Sequence, residues 1–404
     1  MNDEAPPLAY RVQIISLILG IIGLIASYID AFFHRQDFFV SYLFSYLFWL
    51  GISLGGMVIM MIYHLTGGAW GNLIRRPLEA AAQALPLMAI LFIPIIFGLS
   101  DLYVWTHPDV VASDPKLQAK VIYLNVPFFI IRAAIYFIIW LSLAYWLYRW
   151  SLEQDHNPES NVFSIRLQRL SGAGVILYGF SITLAAIDWV MSLMPQWYST
   201  AFGLLFGVGQ MMSAIAFAII MAAAFPQKLI LSKVAIADSF HDLGNLLLMF
   251  ILLLAFIAFM QYLVIWSGNL PPEISWYLPR VQGIWLALTA VMLILHFVVP
   301  FIMLLFRCAK RTVGILVSIA AVILLAHLAR YFWLVVPSLH AQHFLFHWTY
   351  FTIPIGMGGI WLATVLWQFQ KRTLISGRKE RFSISSPEKE IKSVRVKEEE
   401  IHGR

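Results

Sequence analysis

Residues 243–267 read Leu243-Gly-Asn-Leu-Leu-Leu-Met-Phe-Ile-Leu-Leu-Leu-Ala-Phe-Ile-Ala-Phe-Met-Gln-Tyr-Leu-Val-Ile-Trp-Ser267, without a single charged side chain. As a helix rising about 1.5 Å per residue the stretch is about 37 Å long. The hydrocarbon core of a bilayer is roughly 30 Å thick. A soluble helix keeps a polar face, and a membrane β-strand alternates in polarity and crosses in about ten residues. This stretch does neither. It reads as a membrane-spanning helix, whose backbone polar groups are satisfied within the segment.

Working outward, the same pattern recurs. The ten runs are 12–33, 39–63, 79–104, 127–149, 169–193, 199–224, 243–267, 281–306, 312–336 and 347–370. Pro86 and Pro94 interrupt the third, which predicts a kink facing other helices. The 404-residue chain is 61% hydrophobic and only 12% charged, about half the charged share of a soluble domain. That excludes a soluble enzyme, a nucleic-acid binder, a secreted disulfide scaffold and a disordered chain. The net charge of +6 is concentrated at one end, with ten of the 27 basic residues after position 370. The single cysteine, Cys308, excludes intrachain disulfides and cysteine-ligated clusters. The acidic, proline-bearing start is no secretory signal, so the first run is expected to remain as a span.

Alternate loops carry 21 of the 27 basic residues, among them Arg75, Arg76, Arg166, Lys228, Arg307, Lys310 and Arg311. By the positive-inside rule both termini are expected in the cytoplasm. The expected organisation is a cytoplasmic N-terminus with a peripheral span (1–38), a first four-helix bundle (39–198) and a second (199–340). A peripheral tenth span (341–370) and a polar, partner-ordered tail (371–404) complete it. Lys371, Arg372, Arg378 and Lys379 are expected to meet anionic lipid.

The two bundles read as a parallel repeat. Arg169, Asp188 and Pro195 have the same spacing as Arg311, Arg330 and Pro337. Runs 2 and 6 carry small-residue sets, Gly51, Gly55, Gly56 and Gly203, Gly207, Gly209, which permit close helix contact. The fold class is thus all-α integral membrane: ten transmembrane helices, two parallel-repeated four-helix bundles (spans 2–5 and 6–9) and two peripheral helices.

An ionisable group at membrane depth is by default a functional hypothesis. Toward the outer face lie Asp30, Asp101, Arg132, Asp188 and Arg330; toward the cytoplasmic face lie His64, Glu79, Asp238, His241 and Asp242. His296 and His327 fall between. Two clusters with a thin middle suit proton half-channels, for which a histidine titrating near neutrality is apt. Equally, Asp188–Arg330 or Asp101–Arg132 could be ion pairs that fix packing, and Asp242 could cap the start of its helix. His296 and His327 are expected to differ in depth by about six residues, or about 9 Å, which argues against a bis-histidine haem. His340, His343 and His347 are expected to touch a peripheral subunit or headgroups. No metal site is expected. Trp70, Tyr103, Trp105, Trp150, Trp197, Tyr198, Trp266, Trp276, Tyr277, Trp348 and Tyr350 read as an aromatic belt, and Trp189 as a wall for a quinone.

Four motifs carry a family resemblance. Asp188-Trp-Val-Met-Ser-Leu-Met-Pro-Gln-Trp-Tyr-Ser-Thr200, His241-Asp-Leu-Gly-Asn-Leu-Leu247, Gln261-Tyr-Leu-Val-Ile-Trp-Ser-Gly-Asn-Leu-Pro-Pro-Glu273 and Ile353-Pro-Ile-Gly-Met-Gly-Gly359 resemble the NrfD-like family of polysulfide-reductase membrane subunits. Within it they look like the enlarged ten-span, ActF-type subunits of alternative complex III. The resemblance implies a subunit of a multisubunit quinol:electron-acceptor oxidoreductase, beside a paralogous NrfD-like subunit and an iron–sulfur/haem arm. The chain itself would hold no redox centre; quinone or menaquinone would be the substrate, with haem c and iron–sulfur clusters in the partners. Asp188 and Asp242 match the family's motif acids. Where the family commonly has a lysine, this chain has Asn245, which would alter a path needing that charge.

Three readings follow. The chain provides proton half-channels through Asp188, Asp242, His241, Glu79, His64, His296, His327, Arg330, Asp101 and Arg132. Or it binds quinol, with Asp188 as proton acceptor beside Trp189. Or it is an independent secondary transporter.

Overall fold

The computed structural model describes residues 7–157, 161–225, 233–339 and 346–371. Every regular element among them is helical. Ten helices are long and apolar enough to cross a membrane: span 1 (Leu8–Asp30), span 2 (Arg35–Thr66), span 3 (Ala69–Phe97), span 4 (Val126–His156), span 5 (Asn161–Leu193), span 6 (Phe202–Ala224), span 7 (Ile236–Gly268), span 8 (Gly283–Leu305), span 9 (Val313–Leu339) and span 10 (Thr349–Lys371). Below, the near end is where span 1 starts and the far end is its opposite.

Spans 2 and 6 are the most deeply buried pair. Glycine permits their contact: a Cβ on Gly55 would lie 2.0 Å from the Gln210 carbonyl oxygen. Within a bilayer, apolar area gives no drive for one helix to leave lipid for another, so such close backbone approach supplies the packing. Span 2 also packs on spans 3, 5, 9 and 10, and span 6 on spans 5, 7 and 9. Span 1 lies antiparallel to span 10, where Gly20 and Gly23 face Gly356 and Ser27 Oγ lies 2.8 Å from Thr352 Oγ1. Span 10 is tied to span 2 by the Trp361 indole N–H, which donates to Ser53 Oγ at 2.8 Å.

Helices extend beyond the sequence-derived runs at the near end. Arg75 and Arg76, expected in a loop, lie on the helix Ala69–Ala82 that opens span 3. Gly67 and Gly68, at φ of 71° and 111°, make the turn before it. The rest of span 3 is broken into Leu85–Leu91 and Ile93–Phe97, with Pro86 and Pro94 in the first turns. Proline lacks an N–H and crowds the preceding turn, so carbonyls lose their helical donors. Tyrosines on span 2 supply replacements: Tyr46 donates to the Met88 carbonyl at 3.0 Å and Tyr42 to the Leu91 carbonyl at 2.8 Å. Span 8 carries a second irregularity. Pro300 offers no N–H to the His296 carbonyl, and the helix before it opens into a π turn over Leu293–Val298.

The aromatic belt is only partly a belt. Tyr198, Trp266 and Trp348 are exposed, but Tyr103, Trp105, Trp197, Trp276 and Tyr350 are buried. Trp197 stacks on Trp276 with centroids 4.7 Å apart. These rings pack into the main hydrophobic core.

Gly55→Ala should lower the melting temperature of the detergent-solubilised chain, by more than about 1–3 kcal/mol of destabilisation, because the added methyl meets backbone. Gly179→Ala, whose Cβ would meet nothing within 4 Å, should change stability by less than about 1 kcal/mol.

Candidate functional site

The far end of spans 4 and 5 holds an ion pair. Asp188 is 0% exposed. Arg132 donates Nε to its Oδ2 at 2.8 Å and Nη2 to its Oδ1 at 3.0 Å, and Tyr136, one turn on, donates to Oδ2 at 2.7 Å. The guanidinium also lies 3.9 Å from the Tyr123 ring centroid. The pairings anticipated from sequence are exchanged: Asp188 takes Arg132 rather than Arg330, and Asp101 takes Arg35, at 2.8 Å. Span 9 packs on spans 2 and 6, which puts Arg330 beside other partners. Both Asp188 oxygens are thus engaged by the guanidinium, and Oδ2 also by the Tyr136 hydroxyl. Trp189 is enclosed by Phe92, Phe137, Trp140 and Tyr136.

At the near end of spans 3 and 4, Glu79 accepts from Arg75 Nε at 3.0 Å and from Ser151 Oγ. Arg75 also reaches Asp155 at 3.1 Å, an acid that sequence reading left in a loop. A cavity of about 10 Å³ lies beside Glu79, His64, Gln83 and Tyr148, close to the minimum that holds one water. Between the Glu79 and Asp188 clusters stand the rings of Trp140, Trp189, Phe92 and Phe137, an apolar plug.

In spans 7 to 9 the near end is looser. Arg311 pairs with Asp238. Asp242 is exposed, 3.7 Å from the His241 ring nitrogen. It does not cap its helix, which starts at Lys233, more than two turns earlier. Asn245 lies 3.4 Å from His241 Nδ1 and accepts from Lys310 Nζ at 2.7 Å. Gly244 makes room for the Lys310 stem, since a Cβ there would lie 2.7 Å from its Cγ. An ammonium therefore stands beside Asn245 although the side chain at 245 is neutral.

At middle depth lie His296 and His327. Their rings stack with centroids 5.3 Å apart and planes at 28°. The 9 Å offset expected from counting residues is absent, because that count assumes straight, untilted helices and span 8 has its π turn here. Stacked rings present faces to each other and leave no gap for a porphyrin between them. His327 is 2% exposed, and neither of its ring nitrogens has a hydrogen-bond partner; nor does Nε2 of His296. An unmet buried polar atom costs about 1–3 kcal/mol. His327 and Arg330 share a helical face: a Cβ on Gly209 would lie 2.7 Å from His327 Cε1 and 3.3 Å from Arg330 Nη1. The pair lines a cavity of about 10 Å³ with Phe206 and Tyr331.

A separate polar chain lies at the far end. Ser199 Oγ donates to Gln261 Oε1 at 3.0 Å, and Gln261 Nε2 to the Tyr277 hydroxyl at 3.2 Å. Burial pushes the Tyr277 phenol up, while the Gln261 bond and the Arg280 and Arg330 charges offset part of that. Arg280, counted from sequence as a loop charge, is fully buried. It donates to the Trp276 carbonyl at 2.6 Å and the Leu334 carbonyl at 2.9 Å, with Trp276 stacked 3.8 Å from its Cζ. Burial pushes it down to about 9, so at neutral pH it is a cation. His340, His343, Lys228 and the tail from Arg372 lie outside the described residues.

Arg132→Met should cost about 3–5 kcal/mol, since it leaves the Asp188 charge buried and unpaired, whereas Arg132→Met with Asp188→Leu should recover most of that loss. Thermal unfolding of these two variants and of Asp188→Leu alone, in detergent, measures the cycle.

No protein-family model matches the chain, and no curated protein matches it.

Proposed function

We propose that the chain is an integral subunit of a quinol-oxidising electron-transfer complex of the alternative complex III type, and that it conducts protons through spans 6–9. Both termini lie in the cytoplasm of a bacterial cell, so the far end faces outward. Its partners are a paralogous NrfD-like membrane subunit and an iron–sulfur/haem arm. The motif residues and the basic near-end loops support this reading. So does the matched packing of the two sets of spans: span 2 on 3 and 5 with 4 on 5, and span 6 on 7 and 9 with 8 on 9.

One observation carries the proton reading: a buried imidazole, His327, with neither nitrogen partnered, stacked on His296 in a π turn. Imidazole takes a proton at one nitrogen and releases one at the other. Ser199, Gln261 and Tyr277 form the outer half-path to it. His241, Asn245 and Lys310 form the inner one. The fixed Arg330 cation repels a proton resting on His327 and keeps the middle from becoming a trap. Asp188, Arg132, Asp101 and Glu79 belong to the scaffold, locked in ion pairs on either side of the aromatic plug.

A second reading, quinol binding, is favoured by a different place than Asp188 and Trp189. An apolar cavity of about 520 Å³ lies among spans 8, 9 and 10, lined by Phe44, Trp285, Phe332 and Tyr350. The Tyr350 hydroxyl is 3.5 Å from Asp37, a carboxylate able to take a quinol proton.

The chain should co-purify with haem and iron–sulfur partners; isolation as a lone protein would leave the transporter reading instead. In the intact complex, reconstituted in vesicles, His327→Gln should lower protons moved per quinol by about tenfold or more while sparing quinol turnover. Unchanged coupling in that variant sinks the path. Ala329→Phe, which fills the large cavity, should lower turnover only if quinol binds there.

A further inference from the structure

The far ends of three spans bring together residues from opposite ends of the sequence. Asp30 closes span 1, His34 precedes span 2, and His347 precedes span 10. One ligand atom from each lies within 4.8 Å of the others. We infer that Asp30, His34 and His347 form a binding site for a divalent cation of the zinc class, with one coordination position open to solvent.

The distances suit such an ion. Zinc binds imidazole nitrogen and carboxylate oxygen at about 2.0–2.1 Å in a tetrahedron, and the edges of that tetrahedron are about 3.3 Å. His34 Nδ1 is 3.3 Å from Asp30 Oδ1, and His347 Nε2 is 3.6 Å from Asp30 Oδ2. The two imidazoles are tilted at 56° with centroids 4.9 Å apart, and a nitrogen of each lies within 4.8 Å of the other's and of an Asp30 oxygen.

A second feature points to a ligand. Asp30 Oδ2 is buried and has no hydrogen-bond partner. His347 Nδ1 lies 2.8 Å from Thr349 Oγ1, which is itself 2.9 Å from Ser41 Oγ. A ligating histidine is commonly held in this way by its other nitrogen. In the neutral ring, with Nδ1–H donating to the threonine, Nε2 carries a lone pair. That lone pair and a carboxylate oxygen then face each other across 3.6 Å, too far for a hydrogen bond. A cation between them resolves the repulsion. Two nitrogens and a carboxylate oxygen favour zinc over magnesium or calcium. His34 is half-exposed, which leaves a route from solvent and room for a fourth, water ligand.

Such an ion clamps span 1, which is otherwise held almost wholly through span 10, to the start of the buried span 2. The inference does not depend on the proposed function: it concerns binding by this chain alone.

The test uses the full-length chain in detergent, stripped with a chelator, given Zn²⁺ and desalted. Elemental analysis should find one zinc per chain, and Co²⁺ in its place should give the visible absorption of a four-coordinate ion. His347→Ala and Asp30→Asn should each weaken Zn²⁺ binding by about tenfold or more, and His64→Ala, at the near end, should not. Zn²⁺ should raise the melting temperature of the wild-type chain and of His64→Ala, but not of the two site variants. A wild-type chain that keeps no zinc overturns the inference. So does equal retention by wild type, His347→Ala and Asp30→Asn, each melting as the wild type does without metal.

Discussion

Where span 2 crosses span 6, the backbone at Gly55 lies against the carbonyl of Gln210 with no room for a methyl group. Lipid tails are as apolar as leucine, so the drive for helices to meet comes from dispersion at such close contacts. The two spans so joined form a wall against which the others dock. Span 9 enters at Gly209, which accommodates both His327 and Arg330. Spans 3 and 5 pack on the other flank of span 2. A larger residue at the crossing would separate the two halves and with them the polar groups of the middle.

The two halves treat buried charge differently. In spans 2–5 each deep cation has a carboxylate: Arg132 has Asp188, and Arg75 has Glu79 and Asp155. Breaking such a pair is expensive because a lone ion remains in a medium of low dielectric. In spans 6–9, Arg280 is held by carbonyls and indole faces instead, and His327 keeps unmet nitrogens. Paired charges favour one rigid arrangement. Unmet nitrogens leave the ring with no fixed donor or acceptor role, which is the property the proposed conduction needs.

Much of the fold was legible because membrane spans are long and uniform. Each of the ten runs overlaps a span, Pro86 and Pro94 did break the third, and Gly51 and Gly55 of run 2 do meet run 6 at Gln210, whereas Gly203 and Gly207 face span 5 and Gly209 faces span 9. The site was less legible. Sequence gives the depth of a charge along its own helix but not which helix lies opposite, so Asp188 could be matched to Arg330 when the true neighbour was Arg132. Counting residues also misplaced His296 against His327, since the turn before Pro300 is wider than an α turn. Asp242 sits in a motif, yet the helix begins earlier than its apolar run and leaves this acid on the outside. The Asp30, His34 and His347 group had no sequence signal beyond an acid and a histidine four apart, because its third member comes from the far end of the chain.

The pairing of span 1 with span 10 has a consequence for biogenesis. More than 300 residues separate the end of one from the start of the other. At about 5–20 residues per second, the first helix waits roughly 15–60 s for its companion to be synthesised. Through that interval its glycine face, Gly20 and Gly23, is open to lipid or to any passing helix with a matching groove. The newborn protein is therefore most open to mispairing along this seam, until span 10 arrives to close it.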